Sequence, residues 1–138
     1  MYIVIAGCGR VGSRLASELL SEGHEVCVID QSPEALSLLG DDFAGQFVIG
    51  QAIDWETLHA ARVSDADAYV ASTDGDNTNI VSAQIVREHF GVRCCVARVY
   101  DPLRAQLFRK TGILTICPTK DAQDLLHDAV CSLITPGG

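Results

Sequence analysis

Positive charge is scarce in this sequence. Ten Lys and Arg stand against eighteen Asp and Glu, giving a net charge of −8 and a pI near 4.7. A nucleic-acid binder needs a basic face to meet phosphates, and an anionic lipid surface asks for the same, so neither is expected as a partner. Long apolar runs are also missing. No stretch approaches the roughly twenty residues of a membrane span, and Met1 leads into an apolar strand with no basic segment or cleavage site. The expectation is a cytosolic chain with no direct membrane insertion. The six cysteines, Cys8, Cys27, Cys94, Cys95, Cys117 and Cys131, form neither a CxxC nor a Cys/His spacing suited to zinc. They are expected as thiols, with Cys27, Cys94, Cys95 and Cys117 packing in strands as small hydrophobes. The histidines, His24, His59, His89 and His127, are scattered and read as surface or packing residues.

Catalytic signatures are missing too. A tyrosine and a lysine at i and i+4 would suit a short-chain reductase, but Tyr2, Tyr69 and Tyr100 are followed four residues later by Ala6, Thr73 and Arg104. No Ser-His-Asp or Cys-His arrangement is suggested by position. At 138 residues the chain suits one domain, spanning 1–138, and is too short for a cofactor domain plus a separate substrate domain.

What the sequence does contain is concentrated in its first thirty residues. Tyr2-Ile3-Val4-Ile5-Ala6 reads as a buried parallel strand, Gly7-Cys8-Gly9-Arg10-Val11-Gly12 as a glycine turn opening a helix, and Val28-Ile29-Asp30 as a second strand ending on an acid. Gly7 permits the tight turn, Gly9 lets backbone approach a pyrophosphate, and Gly12 lets the helix lie close on the strand. Phosphates then meet free N–H groups at a helix N-terminus. Asp30, eighteen residues beyond Gly12, is placed to accept hydrogen bonds from a ribose diol.

The remaining pattern alternates strands with helices. The first helix is expected over 10–22, with Val11, Leu15 and Leu19 on one face, and the second strand over 24–30. Ser32 and Pro33 open a short helix that turns Ala35, Leu38 and Leu39 to the sheet. A third strand follows at 47–49, a helix capped by Asp54 runs to about Arg62, and a fourth strand covers 68–71. A polar loop precedes a helix over 78–90. Strands at 92–99 and 113–117 flank a helix opened by Asp101-Pro102, and a last helix after Pro118 repeats Ala122, Leu125, Leu126, Ala129, Val130 and Leu133 at helical spacing. That last stripe suits either its own sheet or a second copy of the chain. The alternation predicts a Rossmann-type, doubly wound, six-stranded parallel sheet in the order 3-2-1-4-5-6, closed by a C-terminal helix.

A ligand belongs where the winding reverses, at the carboxyl ends of the first and fourth strands. There the sequence offers the glycine turn, Asp30 and Gln31, Gly50-Gln51-Ala52, Ser72-Thr73-Asp74 and Arg98. The Asp30 carboxylate repels a 2′-phosphate and no arginine follows it, which disfavours NADP; NAD(H) and ATP or ADP both carry the free diol and stay open. Asp74, Asp76 and Thr78 begin like a calcium loop, but Asn79 and Ile85 replace its glycine and glutamate, so helix capping by solvated acids is the expectation. Cys8 is either a small residue tolerated between glycines or a thiol made acidic by a helix N-terminus. Arg10 either folds over the phosphates or is an exposed helix residue. Arg98 interrupts an apolar strand and needs a partner if buried.

These stretches, with Thr73-Asp74-Gly75-Asp76-Asn77-Thr78-Asn79, Ala97-Arg98 and Asp101-Pro102, resemble the RCK family, also called KTN or TrkA-N, over essentially the whole chain. The family regulates potassium channels and Trk/Ktr potassium uptake systems from the cytoplasmic face. The resemblance implies a lobe that binds NAD(H), ATP or ADP, pairs into a homodimer or larger ring, and gates ion flux in a membrane-embedded partner. It implies phosphate contacts at Gly7, Gly9 and Gly12, ribose at Asp30, and adenine near Gln51 and Ala52, with Cys8, Arg10, Val11 and Gln31 also among the cofactor-binding residues. Thr73, Asp74 and Arg98 would face the distal end. The family usually carries Gly-Asp after the third strand, where this chain has Gly50-Gln51. Full-length members also carry a C-terminal lobe, whereas this sequence stops at Pro136-Gly137-Gly138, as a short member or a piece of a longer one. An NAD-dependent oxidoreductase, or its isolated cofactor lobe, is the competing expectation.

Overall fold

The structure, a computed structural model, describes residues 1–134; Pro136, Gly137 and Gly138 lie outside the described residues. Six strands form one sheet: β1 (Tyr2–Ala6), β2 (Glu25–Asp30), β3 (Gln46–Ile49), β4 (Ala68–Ala71), β5 (Cys94–Arg98) and β6 (Leu114–Ile116). The order is β3-β2-β1-β4-β5-β6 and every pairing is parallel, as the alternation of strands and helices predicts. Ile5 pairs with Val28 on one side and Val70 on the other, so β1 is central and the winding reverses beside it.

The helices are α1 (Arg10–Ser21), α2 (Trp55–Ala60), α3 (Asp76–His89), α4 (Pro102–Phe108) and α5 (Pro118–Ile134). Successive strand residues point to opposite faces. Val4, Ala6, Cys27, Ile29, Tyr69 and Ala71 therefore meet Leu58 of α2 and Ile80, Ala83 and Val86 of α3, while Ile3, Ile5, Val26 and Val28 meet Ala16 of α1 and Leu39. Tyr2 shows how a polar tip is accommodated, its hydroxyl donating to the Ala61 carbonyl at 2.5 Å beneath the Arg62 guanidinium.

Several local expectations need correction. Val11 does not join the buried face of α1 and is 54% exposed. The helix lies so close to the sheet that only Gly12, Ser13 and Ala16 fit beneath it, with Leu15 and Leu19 at the flanks. The segment after Pro33 is a 3₁₀ helix (Pro33–Leu39), in which Leu39 is buried and Leu38 faces solvent. The hydroxyl of Ser32 donates to the Glu34 carboxylate instead of accepting from a helical amide, and Asp54 makes no side-chain cap bond. Asp101 does cap α4, accepting from the Leu103 amide at 3.1 Å. The third α-helix starts at Asp76, not Thr78, and β5 starts at Cys94, which is exposed.

The stripe on α5 does not pack on its own sheet. No described residue of that helix is buried, and Leu125 and Leu133 are 71% and 85% exposed.

Candidate nucleotide site

At the carboxyl edge beside β1, backbone bonds gather four strand ends around a cleft of about 270 Å³. Gly7 donates to the Ile29 carbonyl at 2.7 Å, Ser72 to Ala6 at 2.8 Å and Gly50 to Asp30 at 3.0 Å. The turn at Gly7 has φ of +105°, and a Cβ there would fall 2.5 Å from the Ser72 carbonyl oxygen. One at Gly12 would overlap the Gly7 carbonyl oxygen, so the helix can start this close only on glycine. Gly9 is different, because a Cβ there would meet nothing within 4 Å. Gly9 is one of the residues that line the cleft.

The N-terminus of α1 carries no side-chain cap and no acid in its first turn, so its free N–H groups and the positive end of its dipole are left for an anion. Asp30 is held from both sides. One carboxylate oxygen accepts from the Cys8 amide at 2.8 Å and the other from the Ser32 amide at 2.9 Å. An ionised carboxylate offers about four lone-pair sites, so two remain for a ribose diol.

Of the residues expected from sequence, Gly7, Cys8, Gly9, Asp30, Gln31, Gln51, Ala52, Thr73 and Asp74 line the cleft together. Arg10, Val11, Gly12 and Arg98 are not among its lining. Arg10 and Val11 are exposed on the first turn of α1, Gly12 is buried against Gly7, and Arg98 serves the loop behind. Its guanidinium donates to the carbonyls of Ser72 and Thr73 at 3.0 and 2.9 Å and lies over the Tyr100 ring, with its Nε buried and without a partner among the described residues. Asp74 comes within 4.0 Å of Arg98 but is fully exposed, which makes that pair weak.

Ile29, Gly75 and Thr78 also line the cleft and were not among the binding residues expected from sequence. Gly75 and Thr78 escaped because the helix was expected to start two residues late. At Gly50, a Cβ would collide with the Thr57 hydroxyl, so α2 packs directly on that turn and presents Gln51 at the rim.

Cys8 is the cleft residue whose chemistry the sequence left most open. Burial, reinforced by the Asp30 carboxylate, pushes its thiol up to about 11, against the direction expected of a helix N-terminus. The hydrogen on Sγ is donated to the Ala35 carbonyl at 3.2 Å. Cys8 is therefore a neutral packing residue at neutral pH.

Residues 3–118 match the family model described as the TrkA-N domain. The Trk system potassium uptake protein TrkA of Streptomyces coelicolor is 45% identical over 124 residues, covering 90% of this chain and 56% of that protein. A TrkA homolog of Methanothermobacter thermautotrophicus is 35% identical over 131 residues, covering 94% of this chain and 60% of its own. The chain thus spans 56% and 60% of the lengths of these two relatives. Among solved structures, the Kef CTD of Shewanella denitrificans in AMP-bound form superposes with a TM-score of 0.79 at 25% identity, covering 99% of this chain and 84% of that one. Sheet order, glycine turn and acid-tipped second strand agree with a match that runs over most of the sequence, and the chain belongs to the TrkA-N domain family.

Proposed function

We propose that this chain is a nucleotide-sensing regulatory lobe of a potassium uptake system or channel, taking an adenine nucleotide with a free ribose diol, NAD(H) or ATP/ADP, into the cleft beside β1. The observation that carries this reading is the meeting of an uncapped α1 N-terminus, the open side of Gly9 and the Asp30 carboxylate at one strand edge. In this reading Gly7, Cys8 and Gly9 meet phosphate, with Arg10, Val11 and Gly12 shaping the helix end. Asp30 and Gln31 meet ribose, Gln51 and Ala52 lie towards adenine, and Thr73 and Asp74 stand at the distal end, where Arg98 braces the loop. The AMP-bound form of the Kef CTD supports an adenine nucleotide, and the names of the TrkA relatives support the link to potassium uptake.

A binding role is also supported by what the cleft contains. Its titratable lining residues are Asp30, held by two amides, Asp74, fully exposed, and Cys8, held as a thiol. None is poised as an acid or base against a substrate, which weighs against an oxidoreductase. No helix among the described residues is long and apolar enough to cross a membrane. In this reading the lobe acts through a membrane-embedded partner from the cytoplasmic side, as the names of the TrkA relatives support, and the open stripe on α5 supports self-association into a dimer or ring. Nucleotide state gates flux by favouring one arrangement of lobes over another, limited by its differential affinity for the two.

The test is calorimetric titration with NADH, NAD, ATP, ADP, AMP and NADPH, with light scattering before and after each addition. Binding that changes assembly while NADH absorbance stays constant is expected. Oxidation of NADH in the presence of a small acceptor, with assembly unchanged, would replace this reading with an oxidoreductase lobe.

A further inference from the structure

The distal wall of the cleft, formed by Thr73, Gly75 and Thr78, is tied to a remote turn by side chains that do not themselves line the cleft. Asn79 is completely buried and holds Thr73 by its amide, hydroxyl and carbonyl. Its Oδ1 accepts from the Thr73 amide at 2.8 Å and hydroxyl at 2.6 Å, and its Nδ2 donates to the carbonyls of Thr73 at 3.0 Å and Arg98 at 2.8 Å. Asp76, the first residue of α3, turns its carboxylate away from its own helix. One oxygen accepts from the Tyr100 amide at 2.8 Å and the other from the Asp101 amide at 3.1 Å. Asp101 is the residue whose own carboxylate caps α4. Beside it Arg104 hydrogen-bonds the Asn77 side chain.

We infer that Asp76 is a positioning residue that fastens the start of α3, and with it the 73–78 wall, to the capping turn of α4, so that a nucleotide seated on the wall is read at residues 100–103. The inference rests on the nucleotide reading of the cleft. Both bonds are accepted by one carboxylate, and bonds to a charged acceptor are stronger than neutral ones, so together they resist separation of wall and turn. The Asn79 bonds give the wall no slack of its own, because that side chain has no capacity left. Leu103 and Leu107 put α4 at the surface, 64% and 56% exposed, where a displacement can be met by another molecule. An acid in the first turn of a helix ordinarily serves that helix's own dipole. Here it is spent on two consecutive amides twenty-four and twenty-five residues away.

Amide NMR on the full chain, titrated with ADP and then NADH, tests this. Gly9 and Thr73 should shift on binding, and Tyr100, Asp101 and Leu103 should shift along the same saturation curve. Asp76→Ala should keep the cleft shifts and an affinity within about threefold of the parent while losing the response at 100–103. Asp76→Glu should recover part of it. Arg104→Ala, altered at an exposed contact, should lower the response and serves if Asp76→Ala folds poorly. Cleft shifts with silent amides at 100–103, or an unchanged response in Asp76→Ala, would overturn the coupling and leave the nucleotide site standing. Silence of Gly9 and Thr73 to both nucleotides would overturn the site itself.

Discussion

Gly9 and Gly12 stand three residues apart in one turn and are glycines for opposite reasons. At Gly12 a methyl group has nowhere to go, because the Gly7 carbonyl oxygen occupies its place. Gly12→Ala is expected to destabilise the fold by about 1–3 kcal/mol, seen as a lower urea midpoint. At Gly9 a methyl group enters open space, so Gly9→Ala should leave the midpoint nearly unchanged and, on the proposed placement of the phosphates at this turn, weaken ADP binding about tenfold. Equal loss of stability in the two variants would contradict this division. Asp30 joins both roles. Asp30→Ala removes the acceptor of the Cys8 and Ser32 amides as well as the one proposed for ribose, so it should cost about 1–3 kcal/mol of stability in addition to affinity. The motif spacing made the glycines and Asp30 legible from sequence. The internal bonds of Asp30 and the neutral state of Cys8 were not, because they depend on the Ala35 and Ser32 segment folding back over the turn.

Among the elements, α1 and α5 carry similar apolar patterns and meet different fates. Periodicity identifies an apolar face but not what covers it, nor how closely. On α1 the close approach set by Gly12 selects small residues for the buried face and leaves Val11 outside. On α5 the whole stripe stays open. Leu125→Ala or Val130→Ala should therefore change the stability of the single chain by less than about 0.5 kcal/mol. Leu58→Ala, on a side chain with no exposure, should cost about 2–5 kcal/mol. Urea unfolding at low protein concentration compares them, and a cost at Leu125 matching that at Leu58 would contradict the packing. Strand number and order were readable because short loops and right-handed crossovers leave few alternatives. The start of α3 was not, since the polar run from Ser72 to Asn79 has no apolar periodicity to mark it, and Asp76 takes its partners from the turn before α4.

For the whole molecule, the buried thiols and phenols set an alkaline limit. Burial pushes Cys8 and Cys95 up to about 11 and Tyr2 up to about 12, and it raises Cys27 and Tyr69 as well. In the unfolded chain thiols ionise near about 8.5, so above that pH the unfolded state holds fewer protons than the native one and stability falls. The urea midpoint should decline between about pH 9 and 11, with the contribution of these groups intact below that window. A midpoint that rose across it would contradict their burial. The charge balance that opened the sequence argument bears on the site at this scale too. In a chain of net charge −8, the proposed anionic nucleotide would be held by local amides and a helix end rather than by the general field.

The account stands most directly on the ribose. Calorimetric titration with ADP and with its 2′-phosphorylated counterpart compares two ligands that differ only where Asp30 would meet them. The account predicts that ADP binds at least about tenfold more tightly, the 2′-phosphate being repelled by the carboxylate and having lost the diol hydrogen bond. Equal affinity, a preference for the 2′-phosphate, or no binding of either would contradict it.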